Sequence, residues 1–291
     1  MIVGLILLGG GAAAGLFGSL LGLGGGILIV PLLTLAFGLP LITAVGVSLV
    51  CVIMTSGAAA GVYLERRVAN LRLGMTLELF TAIGALAGAM VAFLIPEHVV
   101  EGIFAVLLVY TAVTMARRRE PAPSVDAAGT GIVEGRSSED PDAADVAGSA
   151  AVTDRESTPF VETLSGPDYR VHRIGPGIAG SLVAGVASAL LGIGGGLVKV
   201  PVMHVIMGVP LRVATATSNL MVGITASASA IIYLIRGGID AYAAAPTAIG
   251  VFIGASVGSR VAHRIDLRIL RMLFVLILLY TAFEMIQKAL G

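Results

Sequence analysis

The residues best placed to do chemistry are glycines. Gly22-x-Gly24-Gly25-Gly26-x4-Pro31 occurs near the N-terminus and again as Gly192-x-Gly194-Gly195-Gly196-x4-Pro201. Each run follows an apolar stretch and opens a short one. Glycine lets the backbone turn tightly and lets a ligand approach the main chain. The residues after such a break begin a helix, whose free N–H groups attract anions. In lipid, irregular backbone survives only inside protein or against a cavity. Two short, Gly/Pro-interrupted segments at matching places in two halves point to a transport site. Close helix packing is the competing reading, because small residues let helices touch. Neither run is a Walker A, since no Lys follows the glycines directly, and neither is GxGxxG after a strand.

The segments after Pro40 and Pro210 carry small hydroxyl residues. Thr43, Ser48, Thr55 and Ser56 lie in the first, and Thr215, Thr217, Ser218, Asn219 and Thr225 in the second. A polar lining without full charge suits an anion that must also leave. Backbone hydrogen bonding by Ser and Thr is the bland alternative. Lys199 lies three residues past Gly196; as an intramembrane cation it reads as a counter-charge for an anion, or as a side chain snorkelling to an interface. Glu78 is read as a salt-bridge partner of Arg66 or Arg72, with proton coupling as the alternative. Cys51 reads as inert filling. His204 and His263 are isolated, so no metal site and no cofactor are expected. No HExxH, nucleophile elbow or intramembrane Asp pair is present, so an enzyme is not expected.

The elements that must position these residues come in two sets. Shifted by 170, residues 15–115 align with 185–285 without a gap, with 34 identities in 101 positions. Ser48 meets Ser218, Thr55 meets Thr225, and Gly84 and Gly88 meet Gly254 and Gly258. Lys199 meets Ile29, so it breaks the symmetry. Paired Gly, Pro and Tyr in register read as a duplication. The first repeat is 1–115 and the second 174–291. Between them, 116–173 holds 11 of the 18 acidic residues and few large apolar ones, and it reads as a disordered cytoplasmic loop.

Composition sets the environment. The chain of 291 residues is 57% hydrophobic and 12% charged, with a mean hydropathy of +0.99. A soluble globule cannot hide that much apolar surface. The zero net charge leaves no nucleic-acid footprint. Apolar runs fall at 2–22, 27–38, 41–64, 73–95 and 99–115, then at 175–192, 197–208, 211–235, 242–262 and 272–288. A spanning helix needs about 20 residues, so the second run of each half predicts a half-helix, re-entrant or tilted. Basic residues favour the cytoplasmic side. Their distribution favours inverted repeats with both termini outside and the central loop inside. Gly84-x3-Gly88 and Gly254-x3-Gly258 read as close-packing faces, within the subunit or in a homo-oligomer.

At the doubled Gly-x-Gly-Gly-Gly-x4-Pro the sequence resembles the sulfite exporter TauE/SafE family, over nearly everything but 116–173. That resemblance implies two homologous membrane halves joined by a variable loop. It also implies transport of small, often sulfur-containing anions such as sulfite and sulfoacetate. The expectation is therefore an all-α polytopic protein of the cell membrane. Each repeat has a Gly-broken short helix pair plus three longer transmembrane helices. The expected activity is anion permeation by alternating access, downhill or proton-coupled. The expected site comprises Gly24, Gly25, Gly26, Ser48, Thr55, Gly194, Gly195, Gly196, Lys199, Ser218, Asn219 and Thr225. An anion channel and a non-transporting scaffold or sensor are the alternatives; the first would show non-saturating flux, and the second would depend on the loop.

Overall fold

Each apolar run becomes a helix. The computed structural model describes residues 2–21, 26–65, 69–117, 171–261 and 267–290, and contains no strand among them. The first half gives α1 (Ile2–Leu21), α2 (Gly26–Pro31), α3 (Leu41–Glu65), α4 (Leu71–Ala92) and α5 (Glu97–Arg117). The second gives α6 (Ile174–Leu191), α7 (Gly196–Pro201), α8 (Leu211–Ile235), α9 (Ala241–Val261) and α10 (Leu267–Leu290). Among the described residues, six helices are long and apolar enough to cross a bilayer: α3, α4, α5, α6, α8 and α9. Most of the acidic segment lies outside the described residues. At its edges α5 continues through Arg117 and Val171 is buried, so the folded part reaches slightly into 116–173.

The short helices have a local cause. α2 and α7 each end in a proline and continue as a π-helical turn, Leu32–Ala36 and Val202–Ile206. Proline supplies no N–H, so the regular ladder is interrupted there and widens. Met207 N accordingly donates to Val202 O, five residues back, at 3.2 Å. Gly38 (φ 64°) and Gly208 (φ 73°) then turn the chain in the left-handed region. Helix plus π turn covers 26–36 or 196–206, about 16 Å at the helical rise. That is roughly half a hydrocarbon core.

The long helices are small and polar inside and apolar outside. On α4, Gly74, Leu77, Glu78, Thr81, Gly84, Ala85 and Gly88 are buried. Met75, Leu79, Ile83, Leu86 and Met90 form its exposed stripe. Such an exterior is stable in hydrocarbon and not in water.

The helices that carry the glycine faces pack in parallel. A Cβ on Gly250, Gly254 or Gly258 of α9 would meet the backbone of Leu8, Ala12 or Leu16 of α1, and the two series advance together. On α4, Gly84 meets Leu182 and Gly88 meets Val186 of α6 in the same sense. α4 is also parallel to α8. Asn70 N donates to Thr217 Oγ1 at 2.9 Å, Gly74 lies against Met221, and Glu78 meets Thr225. The glycine faces are thus occupied within the chain. Of the two expected roles, these faces take the one within the subunit.

Candidate functional site

The two halves meet at the helix breaks. α6 ends at Gly192, whose left-handed φ of 68° returns its N–H to Ser188 O at 2.8 Å. Gly194 (φ 75°) and Gly195 (φ 76°) continue the reversal, and α7 starts at Gly196. A side chain at any of these positive-φ positions is strained. Ser48 on α3 donates to Gly192 O at 2.7 Å, with Gly26 O at 3.2 Å. A Cβ on Gly26 would lie 2.6 Å from the same Gly192 carbonyl. The start of α2 therefore sits directly against the end of α6. Ser56 ties α3 to α8, donating to Asn219 O at 3.0 Å and accepting from Gly223 N at 3.0 Å.

Two hydroxyls at this junction are unsatisfied. Ser188 Oγ and Ser218 Oγ are buried and have no hydrogen-bond partner among the described residues. A Cβ on Gly195 would come within 3.4 Å of Ser188 Cβ, and one on Gly196 within 3.4 Å of Ser218 Oγ. The hydroxyls therefore flank the Gly195-Gly196 turn. A buried polar group without a partner costs about 1–3 kcal/mol. Nearly all such groups in folded proteins have partners, so the exceptions need an explanation.

A charged cluster adjoins the turn. Lys199 on α7 is paired with Glu78 on α4 through Glu78 Oε2. Thr225 on α8 donates to Glu78 Oε1 at 2.5 Å, and Lys199 Nζ lies 3.3 Å from Thr225 Oγ1. All three residues are buried, with relative exposures of 3% or less. Lys199 therefore neither snorkels nor stands as a free counter-charge. The expected pairing of Glu78 with Arg72 is also corrected: Arg72 is exposed on the first turn of α4. Arg66 lies outside the described residues. Glu78 faces inward because it shares the Leu77–Thr81 face that packs on α6 and α8.

The other expected residues divide. Gly24 and Gly25 lie outside the described residues. Gly26, Gly194, Gly195, Gly196, Ser48 and Ser218 converge at the breaks. Thr225 belongs to the charged cluster, whereas its counterpart Thr55 donates to Val52 O at 3.0 Å. Asn219 is half-buried and offers its carbonyl to Ser56. Sequence reasoning missed Ser188 and misplaced Glu78. A signal for Glu78 existed: its counterpart at a shift of 170 is Ala248, as that of Lys199 is Ile29. Two opposite charges, each unmatched in the other half, are natural partners. No cluster of metal-binding side chains occurs among the described residues.

This arrangement can be set against known proteins. The family described as Sulfite exporter TauE/SafE matches residues 7–285. The chain is similar to the "Probable membrane transporter protein YunE" of Bacillus subtilis, 24% identical over 285 residues, covering 96% of this chain and 95% of that protein. It is also similar to the "Probable membrane transporter protein MJ0441" of Methanocaldococcus jannaschii, 25% identical over 230 residues, covering 77% of this chain and 70% of that protein. No solved structure matches.

Proposed function

The chain belongs to the sulfite exporter TauE/SafE family, a multi-pass membrane transporter family, and from that premise we propose that it is a permease for small anions of the sulfite or organosulfonate kind. The anion is held at the Gly195-Gly196 turn by Ser188, Ser218 and the first N–H groups of the helix that continues to Ile206. The observation that carries this reading is the pair of buried, unpartnered hydroxyls flanking a glycine turn. A sulfite or sulfonate oxygen accepts hydrogen bonds from hydroxyl and amide donors, and would satisfy both serines at once.

Alternating access requires two halves that can rock against each other. Support for inverted repeats comes from helix direction. α4 and α8 run parallel, and Phe93 at the end of α4 packs against Tyr233 at the end of α8 with ring centroids 5.0 Å apart. α9 follows α8 through the short turn 236–240 and so returns antiparallel. α1 is parallel to α9 and α6 is parallel to α4, which leaves α1 and α6 antiparallel. Matched packing supports the duplication itself. Gly15 lies against Val251, and Gly185 against Thr81, each number offset by 170.

The test is uptake of labelled sulfite and sulfoacetate into proteoliposomes of purified protein. Saturable flux that is lost in Gly195→Val is expected. Flux that does not saturate would favour a channel, and absence of flux with folded protein would overturn the anion-permease reading.

A further inference from the structure

Lys199 lies one helical turn past the Gly195-Gly196 turn, its backbone N–H donating to Gly195 O at 3.0 Å, and it is the only cation on α6 or α7; Glu78 already occupies it. The cluster is closed on itself. Glu78 takes Lys199 on one oxygen and Thr225 on the other, and Thr225 Oγ1 faces both. An incoming anion meets a neutral pair with no spare positive charge. Adding one negative charge to a dry, buried pair is strongly unfavourable.

Resting on the anion-permease reading, we infer that Glu78 is an internal stand-in for the substrate on Lys199, displaced when it takes up a proton. One proton passes from the aqueous phase to the Glu78 carboxylate, and one anion takes the vacated side of Lys199. No covalent bond to the anion forms. For a monoanion the site is neutral before (Lys⁺, Glu⁻) and after (Lys⁺, protonated Glu, anion⁻). For a dianion, such as sulfoacetate or fully ionised sulfite, the same neutrality requires a second proton to enter with the anion. Protonated Glu78 keeps a hydrogen-bond role, because Thr225 can donate to or accept from it.

Position supports coupling of this site to movement. The pair joins residues 121 apart in sequence, on α4 of the first half and α7 of the second. Forming or breaking it therefore changes the contact between halves. The second half's equivalent of Glu78 is Ala248 and the first half's equivalent of Lys199 is Ile29, both buried apolar residues. One exchange site per chain follows, in place of two.

The surroundings contain few competing groups. α6 has no ionisable side chain along its length, and α7 has only Lys199. α8 carries Arg212 and Tyr233, roughly 20 and 12 Å from Thr225 along the axis by helical rise, and Tyr233 OH donates to Ala189 O at 2.9 Å. Arg72 on α4 is exposed. His204, on the turn after α7, is engaged with Val209 O at 2.9 Å.

The experiment is calorimetric titration of the purified full chain with methanesulfonate, which stays a monoanion across the neutral range. It is run at several pH values in two cationic buffers of different ionisation enthalpy. The expected result is uptake of about one proton per anion bound, with affinity falling about tenfold per pH unit above the titration of Glu78. Glu78→Gln is expected to bind with no proton uptake and no pH dependence. Should that variant fold poorly, Glu78→Gln/Lys199→Met removes both charges, and is expected to lose methanesulfonate binding at every pH. Binding without proton uptake in the native protein overturns the inference and leaves the permease reading intact. Retained uptake in either variant does the same. Absence of binding at every pH, for methanesulfonate and for sulfite alike, overturns both.

Discussion

The hydroxyl of Ser48 on α3 donates to the carbonyl of Gly192 at 2.7 Å, so a helix of the first half caps the broken end of a helix in the second. The corresponding hydroxyl in the other half, Ser218, has no partner among the described residues. Equivalent residues therefore differ: one closes the frame, and the other is buried without a hydrogen-bond partner.

Ser48→Ala should destabilise the fold, because it strips a buried carbonyl of its donor. A loss of about 1–3 kcal/mol is expected, read as a lower midpoint of thermal unfolding in detergent.

Ser188→Ala and Ser218→Ala should behave in the opposite way. Each removes a polar atom that has no partner, so the unfolding midpoint should hold or rise. Each also removes a donor to a charged acceptor, worth about 1.5–3 kcal/mol, which corresponds to roughly a ten- to hundredfold rise in KM for uptake. Unchanged KM in both variants would locate the substrate elsewhere.

Lys199→Met alone should be far more damaging than Lys199→Met combined with Glu78→Gln. Breaking a buried pair strands one charge and costs about 3–5 kcal/mol, whereas removing both charges is often close to neutral. Folded yield by size-exclusion chromatography distinguishes the two cases. Equal yields would mean that the pair does not form in the bilayer.

Gly84→Leu should prevent folding, because a side chain there drives into the Leu182 backbone of α6. Gly102→Ala is the control. Nothing lies within 4 Å of its Cβ position on α5, and alanine favours helix over glycine by roughly 1 kcal/mol in a helix interior. The control should fold with equal or greater stability.

Inverted repeats predict that the α4–α5 turn and the end of α8 face the same side. Leu94→Cys and Arg236→Cys should both react with a membrane-impermeant maleimide in intact cells. The native Cys51 is buried and contributes little background. Labelling of one site and protection of the other would require parallel halves.

Much of this architecture is legible in the order of residues along the chain. The break at 192–196, the half-length helices and the long apolar runs follow from local rules. Glycine and proline punctuate the chain, and an apolar run of known length becomes a helix in lipid. The helix ends fall close to the ends of the apolar runs, as with α3 at 41–65 against 41–64. Of the candidate residues, those next to the breaks are legible for the same reason.

What the sequence determined by itself was the environment, the family, the elements and the places where the backbone must bend, because each of these depends on composition or on neighbours a few residues apart. Only the tertiary structure decided that Lys199 turns inward to Glu78, that Ser48 caps Gly192 while Ser218 stays unsatisfied, and that the glycine faces of α4 and α9 pack on α6 and α1. Those relations join residues far apart in sequence. A helix with an apolar outer stripe and a small polar inner one can present the same residues to several neighbours. Close backbone approach at glycine selects among those neighbours, and hydropathy carries no record of that choice.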